Sequence, residues 1–447
     1  MKTYLSNEQI MALSPDAASA KAGKGLANKN KWPSLGANES ALWGECQGSG
    51  KKPYQTRVDF NGPAYKCTCP SRKFPCKHTL GLLLLYAGEP QLFTSSEAPD
   101  WVSEWLASRE KHQQKQHIRT EKKAERSDPK AKAGRELQRR ERICKGLNDL
   151  NLWLCDRVRQ GFSELENKPE SYWEEAAARL TDAQAPGLAA FIRSMSAIVY
   201  RRQKNWYEDV LAVMGKLKLI IEGFSRFDSL PEPLRSDLRT VVGWHIEKDE
   251  VLLGSAQRDI WDILGISLSE SDKLREQRIW LKGRNCGRFA MILNFAFGTQ
   301  PLEIRLIPGA AADAELVYYP SAFPLRALIK SDIGNIGQIS DFCGFADFET
   351  AFSAFSEALA GNPWIARFPM AIENVRICFK EDRFIMRDME NRELPISRYF
   401  QRGWELVAIA GGHPISVFGE WENNSFFPLS CSNGMFHNLY LPERGEL

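Results

Sequence analysis

The sequence predicts a multidomain α+β protein with a small ββα unit near the N-terminus, a helical bundle in the middle and a mostly-β C-terminal half. Three observations support this. The chain has 447 residues, which is too long for one hydrophobic core. Apolar residues follow a helical period between about 137 and 240, and short alternating runs replace it beyond about 241. Three cysteines and one histidine lie between positions 67 and 78.

These changes along the chain predict four regions. Residues 1–100 form an N-terminal region whose folded core spans about 54–87, and residues 101–141 form a basic, charged linker or helix. Residues 142–240 form the helical domain. Residues 241–447 form a β-rich α+β domain, to which the sequence assigns no role.

The ββα unit is predicted from adjoining segments. "YQTRVDF" (54–60) alternates like a half-buried strand, "NGP" (61–63) is a hairpin turn signal, and "AYKCTC" (64–69) is the returning strand. The segment from Lys77 to Ala87 has a helical composition, and its leucines leave almost no polar face. We therefore expect a short helix that is buried on most sides.

The charge is unevenly distributed along the chain. Residues 109–145 carry 14 Lys or Arg against 6 Asp or Glu, whereas residues 146–447 carry 33 against 41. A basic segment of this kind favours polyanions such as nucleic acid. Contact with the acidic part of the same chain is an equally good interpretation.

The helical domain is predicted from apolar residues at steps of three or four. Two sets show this period: Ile143, Leu147, Leu150, Leu154, Val158 and Phe162, and then Trp206, Val210, Met214, Leu217, Ile221 and Phe224. The turn-rich segments "DAQAPG" (182–187) and "SLPEPL" (229–234) separate its helices.

The C-terminal half is predicted to be mostly β because its apolar runs are short and Gly, Pro or Asn clusters separate them. The predicted strands are "RFAMILNFAF" (288–297), "LEIRLI" (302–307), "AELVYY" (314–319), "VRICFK" (375–380), "RFIMR" (383–387) and "ELVAIA" (405–410). One helix, "DFETAFSAFSEALAG" (347–361), interrupts them.

Targeting signals are not evident in the sequence. It has no run of eighteen apolar residues, and its N-terminus lacks the apolar core of a signal peptide. We therefore expect a cytoplasmic protein with no membrane contact. The ten cysteines would then stay reduced, so a cysteine cluster indicates a metal rather than disulfides.

Cys67, Cys69, Cys76 and His78 supply three thiolates and one imidazole, which is a complete tetrahedral set for zinc. A closed set of four protein ligands is typical of a structural site, so we expect one structural Zn²⁺. By analogy with zinc-finger peptides, the ion contributes on the order of 10 kcal/mol to the local fold. Cys46 is a possible further ligand, but a buried thiol is the better interpretation.

The spacing C-x-C-x6-C-x-H, followed by an apolar helix, resembles the SWIM-type zinc finger, with Cys67, Cys69, Cys76 and His78 on its four ligand positions. The blocks "LWGECQGSGKKPYQTRVDF", "LTDAQAPGLAAFIR" and "YYPSAFPLRAL" are similar to bacterial SWIM-containing proteins. The resemblance implies a zinc unit with a role in binding DNA or proteins. It implies no established activity for residues 146–447.

Six basic residues near these ligands form a candidate phosphate-binding face: Arg72, Lys73, Lys77, Lys51, Lys52 and Lys66. A solvated rim is an equally good interpretation of them. The helix after His78 is too apolar to lie in a DNA groove, so the sequence favours contact with DNA or RNA without strong sequence preference, or contact with a protein.

No catalytic constellation is visible in the sequence. "GECQGSGKKP" (44–53) lacks the first Gly and the final Ser or Thr of a P-loop, and the pair Cys431 and His437 has no family signature. No small-molecule substrate can be identified either. The leading prediction is thus a non-enzymatic zinc protein that binds nucleic acid or a protein.

Two alternatives to this prediction stay open. One is a pure protein-interaction adaptor, as the association of the bacterial relatives with AAA+ ATPases and von Willebrand-type domain proteins implies. The other is an enzyme with an unrecognised site in residues 241–447.

Overall fold

The structure is a computed structural model, and it describes residues 7–14, 17–48, 52–60, 64–71, 73, 75–95, 97–109, 111, 129–271, 274–298, 306–330 and 333–439. Lys51, Arg72, the predicted turn at 61–63 and most of the predicted strand at 302–307 lie outside these residues. The mixed α+β architecture is confirmed: a unit with the cysteine cluster is followed by a helical bundle and a β-rich half.

The N-terminal unit is a five-stranded sheet with helices packed against it. Its elements are α1 (Asn7–Ala12), α2 (Ala17–Leu26), β1 (Ser34–Ala37), β2 (Ala41–Cys46), β3 (Tyr54–Asp59), β4 (Ala64–Cys67), α3 (Lys77–Gly88), β5 (Thr94–Ser95) and α4, described over residues 100–109. The strand order is β4-β3-β2-β1-β5, in which only the β1–β5 pair is parallel.

Helix α3 fills the core of this unit, as its leucine-rich sequence predicts. Every residue from His78 to Tyr86 is buried. Helix α2 approaches it closely, since a Cβ on Gly81 would lie 2.7 Å from the Leu26 Cβ. The β3–β4 hairpin is also present, but the sheet continues through three more strands. The core is therefore larger than the predicted ββα unit, with Ile10, Trp32 and Leu42 packing around the helix.

The central part is a helical bundle. Its helices are α5 (Pro129–Gln160), α6 (Glu170–Asp182), α7 (Pro186–Arg201), α8 (Trp206–Ser225) and α9 (Glu232–Val241). The predicted apolar positions of α5 and α8 enter the core, except that Val158 is 58% exposed and Phe162 is only partly buried. Among the described residues, none of the helices combines the length and the hydropathy that crossing a membrane requires.

The C-terminal half contains two six-stranded sheets. Helix α10 (Lys248–Leu252) leads into the first, which contains β6 (Gln257–Ser271), β7 (Leu274–Gly283), β8 (Phe289–Phe297), β9 (Ala310–Tyr318), β10 (Ala327–Ile329) and β11 (Gly334–Gln338). The strand order is β10-β9-β6-β7-β8, and β11 also pairs with β9.

The second sheet has the order β14-β13-β12-β15-β16-β17. Its part of the chain comprises α11 (Phe348–Gly361), β12 (Phe368–Lys380), β13 (Arg383–Arg387), β14 (Glu393–Pro395), α12 (Gly403–Ala410), β15 (Ile415–Glu422), β16 (Ser425–Ser432) and β17 (Phe436–Asn438). Helix α11 matches its prediction, and Asp347 caps it by accepting a hydrogen bond from the Thr350 backbone N–H.

The prediction of a strand at 405–410 is wrong, because these residues belong to α12. Leu406 and Ala410, four residues apart, are buried against the second sheet, and Gly411 ends the helix with φ +56°. Gly403 has room only for its hydrogen, since a Cβ there would lie 2.1 Å from the Phe384 ring. A short apolar run suits a strand or a buried helix equally well, so periodicity does not decide between them.

The two sheets pack face to face, and a buried ion pair joins them. Leu264 and Trp280 of the first sheet meet Phe418 and Leu429 of the second. Beside them, the Arg278 guanidinium donates to the Glu420 carboxylate at 3.0 Å.

The Trp280 indole N–H also donates to this carboxylate, at 2.7 Å. Glu420 is 3% exposed and the Arg278 side chain 8%, so water screens the pair little.

We expect Glu420→Gln to destabilise the C-terminal half by about 1.5–3 kcal/mol, because Arg278 and the Trp280 indole lose a buried charged acceptor and Arg278 keeps only the partly exposed Glu276 carboxylate. The measurement is calorimetric unfolding of the intact protein. The matched control is Glu357→Gln on the exposed side of α11, which should change stability by less than about 0.5 kcal/mol. Equal effects of the two substitutions would contradict the importance of the pair.

Candidate metal centre

The four predicted ligands come from three adjoining pieces of the N-terminal unit. Cys67 is the last residue of β4, and Cys69 follows in the loop. Cys76 is the N-cap of α3, and His78 lies in its first turn. Strand pairing holds the first piece in place, since Cys67 lies opposite Thr56 of β3. The burial of α3 holds the last piece, so both sides of the cluster are positioned by packing.

The ligand atoms of all four residues lie within 4.8 Å of one another. The His78 Nδ1 atom is 3.8 Å from the Cys67 Sγ and 3.9 Å from the Cys76 Sγ. In a tetrahedral zinc site with Zn–S of about 2.3 Å and Zn–N of about 2.0 Å, sulfur and nitrogen are about 3.5 Å apart. The described side chains therefore fit one zinc ion, with Nδ1 as the histidine ligand.

Neighbouring side chains orient these ligands. The Thr56 hydroxyl donates to the Cys67 Sγ at 3.2 Å, and the Thr79 hydroxyl lies 3.5 Å from the Cys76 Sγ. The Tyr54 ring packs on the imidazole of His78, with ring centroids 4.9 Å apart. Such outer contacts fix the ligand geometry before the metal binds.

The electrostatics of the metal-free cluster favour one thiolate among three sulfurs. Hydrogen bonds from Cys67, His78 and Thr79 lower the pKa of Cys76 to about 3. The hydrogen bond with Cys76, together with burial, raises the pKa of Cys67, and burial raises that of Cys69. Zinc would replace the remaining thiol protons, and its four protein ligands would complete the coordination.

Cys46 is close to the cluster but does not belong to it. It is fully buried at the end of β2, opposite Tyr54, and the ligand group comprises only the other four residues. Burial raises the pKa of its thiol to about 11. The interpretation of Cys46 as a buried thiol therefore agrees with the structure.

The basic candidates that the structure describes lie near the centre, but not all of them lie on one face of the sheet. Lys52, Lys66, Lys73 and Lys77 are exposed. Lys77 begins α3 beside the ligands, whereas Lys66 precedes Cys67 on β4 and so points to the opposite face of the sheet.

The face of the sheet that lies away from α3 carries a feature that the sequence did not reveal. Helix α4 covers this face, and the Arg57 guanidinium lies 5.2 Å from the Trp101 ring centroid and 5.6 Å from that of Trp105. Arg109, at the end of the described helix, donates to Asp59 at 2.9 Å. The aromatic start "WVSEW" was visible in the sequence, but its arginine partner, more than forty positions earlier, was not.

The comparisons with known proteins agree with this geometry. Residues 56–87 match the family model of the SWIM zinc finger. Residues 138–242 match that of the SWIM-associated four-helix bundle domain. No curated protein and no solved structure matches the chain. The resemblance noted from the ligand spacing is therefore confirmed for the finger, and the bundle match extends it to the central helices.

We expect the purified protein to contain about one zinc ion per chain and Cys76→Ser to lose it, because a thiolate ligand is removed. Elemental analysis of freshly purified protein gives the stoichiometry. Cys46→Ala is the matched control, since it removes a buried sulfur beside the cluster and should keep the zinc. Loss of zinc from the control would make Cys46 a ligand and contradict the four-residue site.

The hydrogen bonds to the ligand sulfurs lead to a separate prediction. Thr56→Val keeps the shape of a fully buried side chain but removes the hydroxyl that donates to Cys67. We expect zinc affinity to fall by about 10–100-fold, as with other outer partners of metal ligands. A competition titration with a chromophoric chelator measures this. An unchanged affinity would show that the hydroxyl has no part in holding the ligand.

Proposed function

We propose that this chain is a zinc-stabilised binding protein whose N-terminal unit contacts the phosphate backbone of nucleic acid without reading base sequence. The proposal rests on the difference in exposure between the helix of the finger and the lysines near its metal centre. Its helix is buried in the core, whereas Lys52, Lys73 and Lys77 near the centre are exposed. Phosphate contacts give affinity and register, but they carry no sequence information.

The burial of α3 argues against sequence-specific recognition. Proteins that read DNA through a helix present polar side chains to the major groove. Here the described helix has nine consecutive buried residues, from His78 to Tyr86, and Lys77 is its first residue. The surface that is left for a ligand is the rim around the zinc ligands.

Some of the basic side chains already form ion pairs or hydrogen bonds within the chain. Arg140 forms a bidentate pair with Asp228, and Arg139 donates to the Gly243 carbonyl at 3.2 Å. In contrast, no ion pair joins Lys52 or Lys77 to a carboxylate within the part of the chain that the structure describes. Lys52 and Lys77 are therefore better candidates for phosphate contacts than the two arginines of α5.

Protein docking is the second candidate, and an aromatic cluster favours it. Phe379, Phe384 and Trp404 pack together at the end of the second C-terminal sheet, with ring centroids 4.9–5.2 Å apart. Trp404 is 64% exposed and Phe379 46%. Exposed aromatic groups of this kind are common at protein interfaces. This surface would suit the adaptor alternative.

The structure does not support the best candidate for a catalytic pair, Cys431 and His437. Cys431 and His437 do pair across β16 and β17. However, Cys431 is fully buried, and burial raises the pKa of its thiol to about 12. A thiol in this state is not an activated nucleophile.

We expect the intact protein to bind duplex DNA of unrelated sequences with similar affinity and with a steep salt dependence. Changing Lys52, Lys73 and Lys77 together to Ala should make the negative slope of log K against log salt less steep by up to about 3, as up to three phosphate contacts are lost. Fluorescence anisotropy at several salt concentrations measures the slope.

The matched control changes three exposed lysines outside the finger, Lys204, Lys216 and Lys248, to Ala, which alters the net charge equally. Equal effects of the two triple variants would show that binding follows net charge rather than the finger. No binding of DNA or RNA at low salt would reject the proposal in favour of protein docking. A pull-down with and without nuclease would then identify partners that need no nucleic acid.

A further inference from the structure

A second group of lysines lies ahead of the first strand, outside the matched zinc finger. Its sequence, "KAGKGLANKNK" (21–31), has four lysines and no acidic residue. The family match to the finger begins only at residue 56. We name residues 21–31 the lysine segment. On the basis of the nucleic-acid function proposed above, we propose that this segment, together with the finger, binds the phosphate backbone of a duplex.

Helix packing places the lysine segment beside the metal centre. Helix α2 lies so close to α3 that a Cβ on Gly23 would lie 2.8 Å from the Leu80 Cβ and 3.6 Å from the Lys77 carbonyl oxygen. Lys77 is the first residue of α3 and lies between two of the metal ligands in the sequence. Lys24 follows Gly23 directly, so its backbone is next to the end of α3 that carries the ligands.

The last part of the lysine segment is held firmly by the core. A short 3₁₀ helix, Lys29–Lys31, follows α2. The next residue, Trp32, is buried, and its indole N–H donates to the Leu26 carbonyl at 2.8 Å. The Lys31 carbonyl accepts a hydrogen bond from the Gln47 backbone N–H at 2.9 Å. A fixed backbone presents these lysines, which reduces the entropy lost when a ligand binds.

Lys31, Lys52 and Lys77 lie near one end of the sheet. Strand β2 ends at Cys46, which pairs with Tyr54, and Lys52 lies two residues before Tyr54. Burial raises the pKa of the Cys46 thiol, and the charges of Lys77 and Lys31 oppose this rise. Both ammonium groups are therefore close enough to act on the end of β2. The lysine segment and the finger thus share one surface.

The charge of the lysine segment is not neutralised within the chain. Lys21, Lys24, Lys29 and Lys31 are all exposed, and across the described ranges no ion pair joins them to a carboxylate. Lys21 and Lys24 are three residues apart, so they are neighbours on the surface of α2. Gly25 lies on the same side, where a Cβ would meet nothing within 4 Å, so the surface is open to a ligand. Clustered cations of this kind attract a polyanion.

The chemistry of this surface favours a duplex over a single strand, a protein or a membrane. Proteins that bind single strands stack bases on exposed aromatic rings, whereas protein interfaces and membrane anchors use large apolar side chains. In the described part of residues 7–109, no large apolar side chain is exposed. Trp32 is buried, and the Tyr54 ring packs on His78. Lysines alone are sufficient for contact with the phosphates of a duplex.

We expect the variant Lys24→Ala, Lys29→Ala, Lys31→Ala of the intact protein to bind duplex DNA up to about 100-fold more weakly at about 0.15 M salt, because up to three phosphate contacts are lost. The negative slope of log K against log salt should become less steep by up to about 3. The same three substitutions to Arg should keep most of the affinity, since they keep the charge. Fluorescence anisotropy measures binding, and an unchanged zinc content shows that the N-terminal unit is still folded.

The matched control is again the triple Ala variant of Lys204, Lys216 and Lys248, which alters the net charge equally outside the N-terminal unit. If the lysine-segment variant binds duplex DNA no more weakly than this control, the inference is overturned while the proposed function stands. Tighter binding of single-stranded DNA than of duplex DNA would also overturn it. So would binding to phosphatidylserine vesicles without binding to duplex DNA. A wild-type protein that binds neither DNA nor RNA at low salt rejects the proposed function, and this inference with it.

Discussion

The N-terminal unit depends on one constraint. Four ligands join the edge of its sheet to a buried helix. Cys67 and Cys69 belong to the edge of the sheet, whereas Cys76 and His78 belong to the start of α3. Only the short loop between them connects the two sides along the chain. The packing of Trp32 and Leu42 around α3 already sets the position of this helix in the core. A metal held by both sides would tie that packing to the edge of the sheet, so the four ligands would stabilise a fold that is larger than their own loop.

Local spacing was sufficient to predict this centre, because all four ligands lie within twelve residues. The burial of α3 was predictable for the same reason, since its composition leaves no polar face. The additional strands of the sheet were not predictable, because β1 and β5 are short and make their contacts through pairing rather than through any pattern of their own. The hydroxyl of Thr56 was missed likewise, since only strand register brings it to Cys67.

Long-range contacts explain the remaining differences. Arg278 and Glu420 are 142 positions apart, and neither stands out in its own segment. The apolar run at 405–410 suits a strand or a helix equally well by itself. It forms a helix because one side of that helix packs on the second sheet. Composition also overstated the free positive charge of residues 109–145, because Arg139 and Arg140 contact other parts of the chain. A count of charged residues shows where cations are in the sequence. It does not show whether they already form ion pairs or hydrogen bonds within the chain.

The face-to-face packing of the two C-terminal sheets limits where the protein can be truncated. Each sheet covers an apolar surface of the other, and Gly265 lets the layers approach so closely that a Cβ there would lie 2.8 Å from the Leu429 Cβ. A truncation between the two sheets would expose Trp280 on one fragment and Phe418 on the other. Expression of either half alone would therefore yield aggregating material, and a soluble fragment must retain residues 257–439 as one piece.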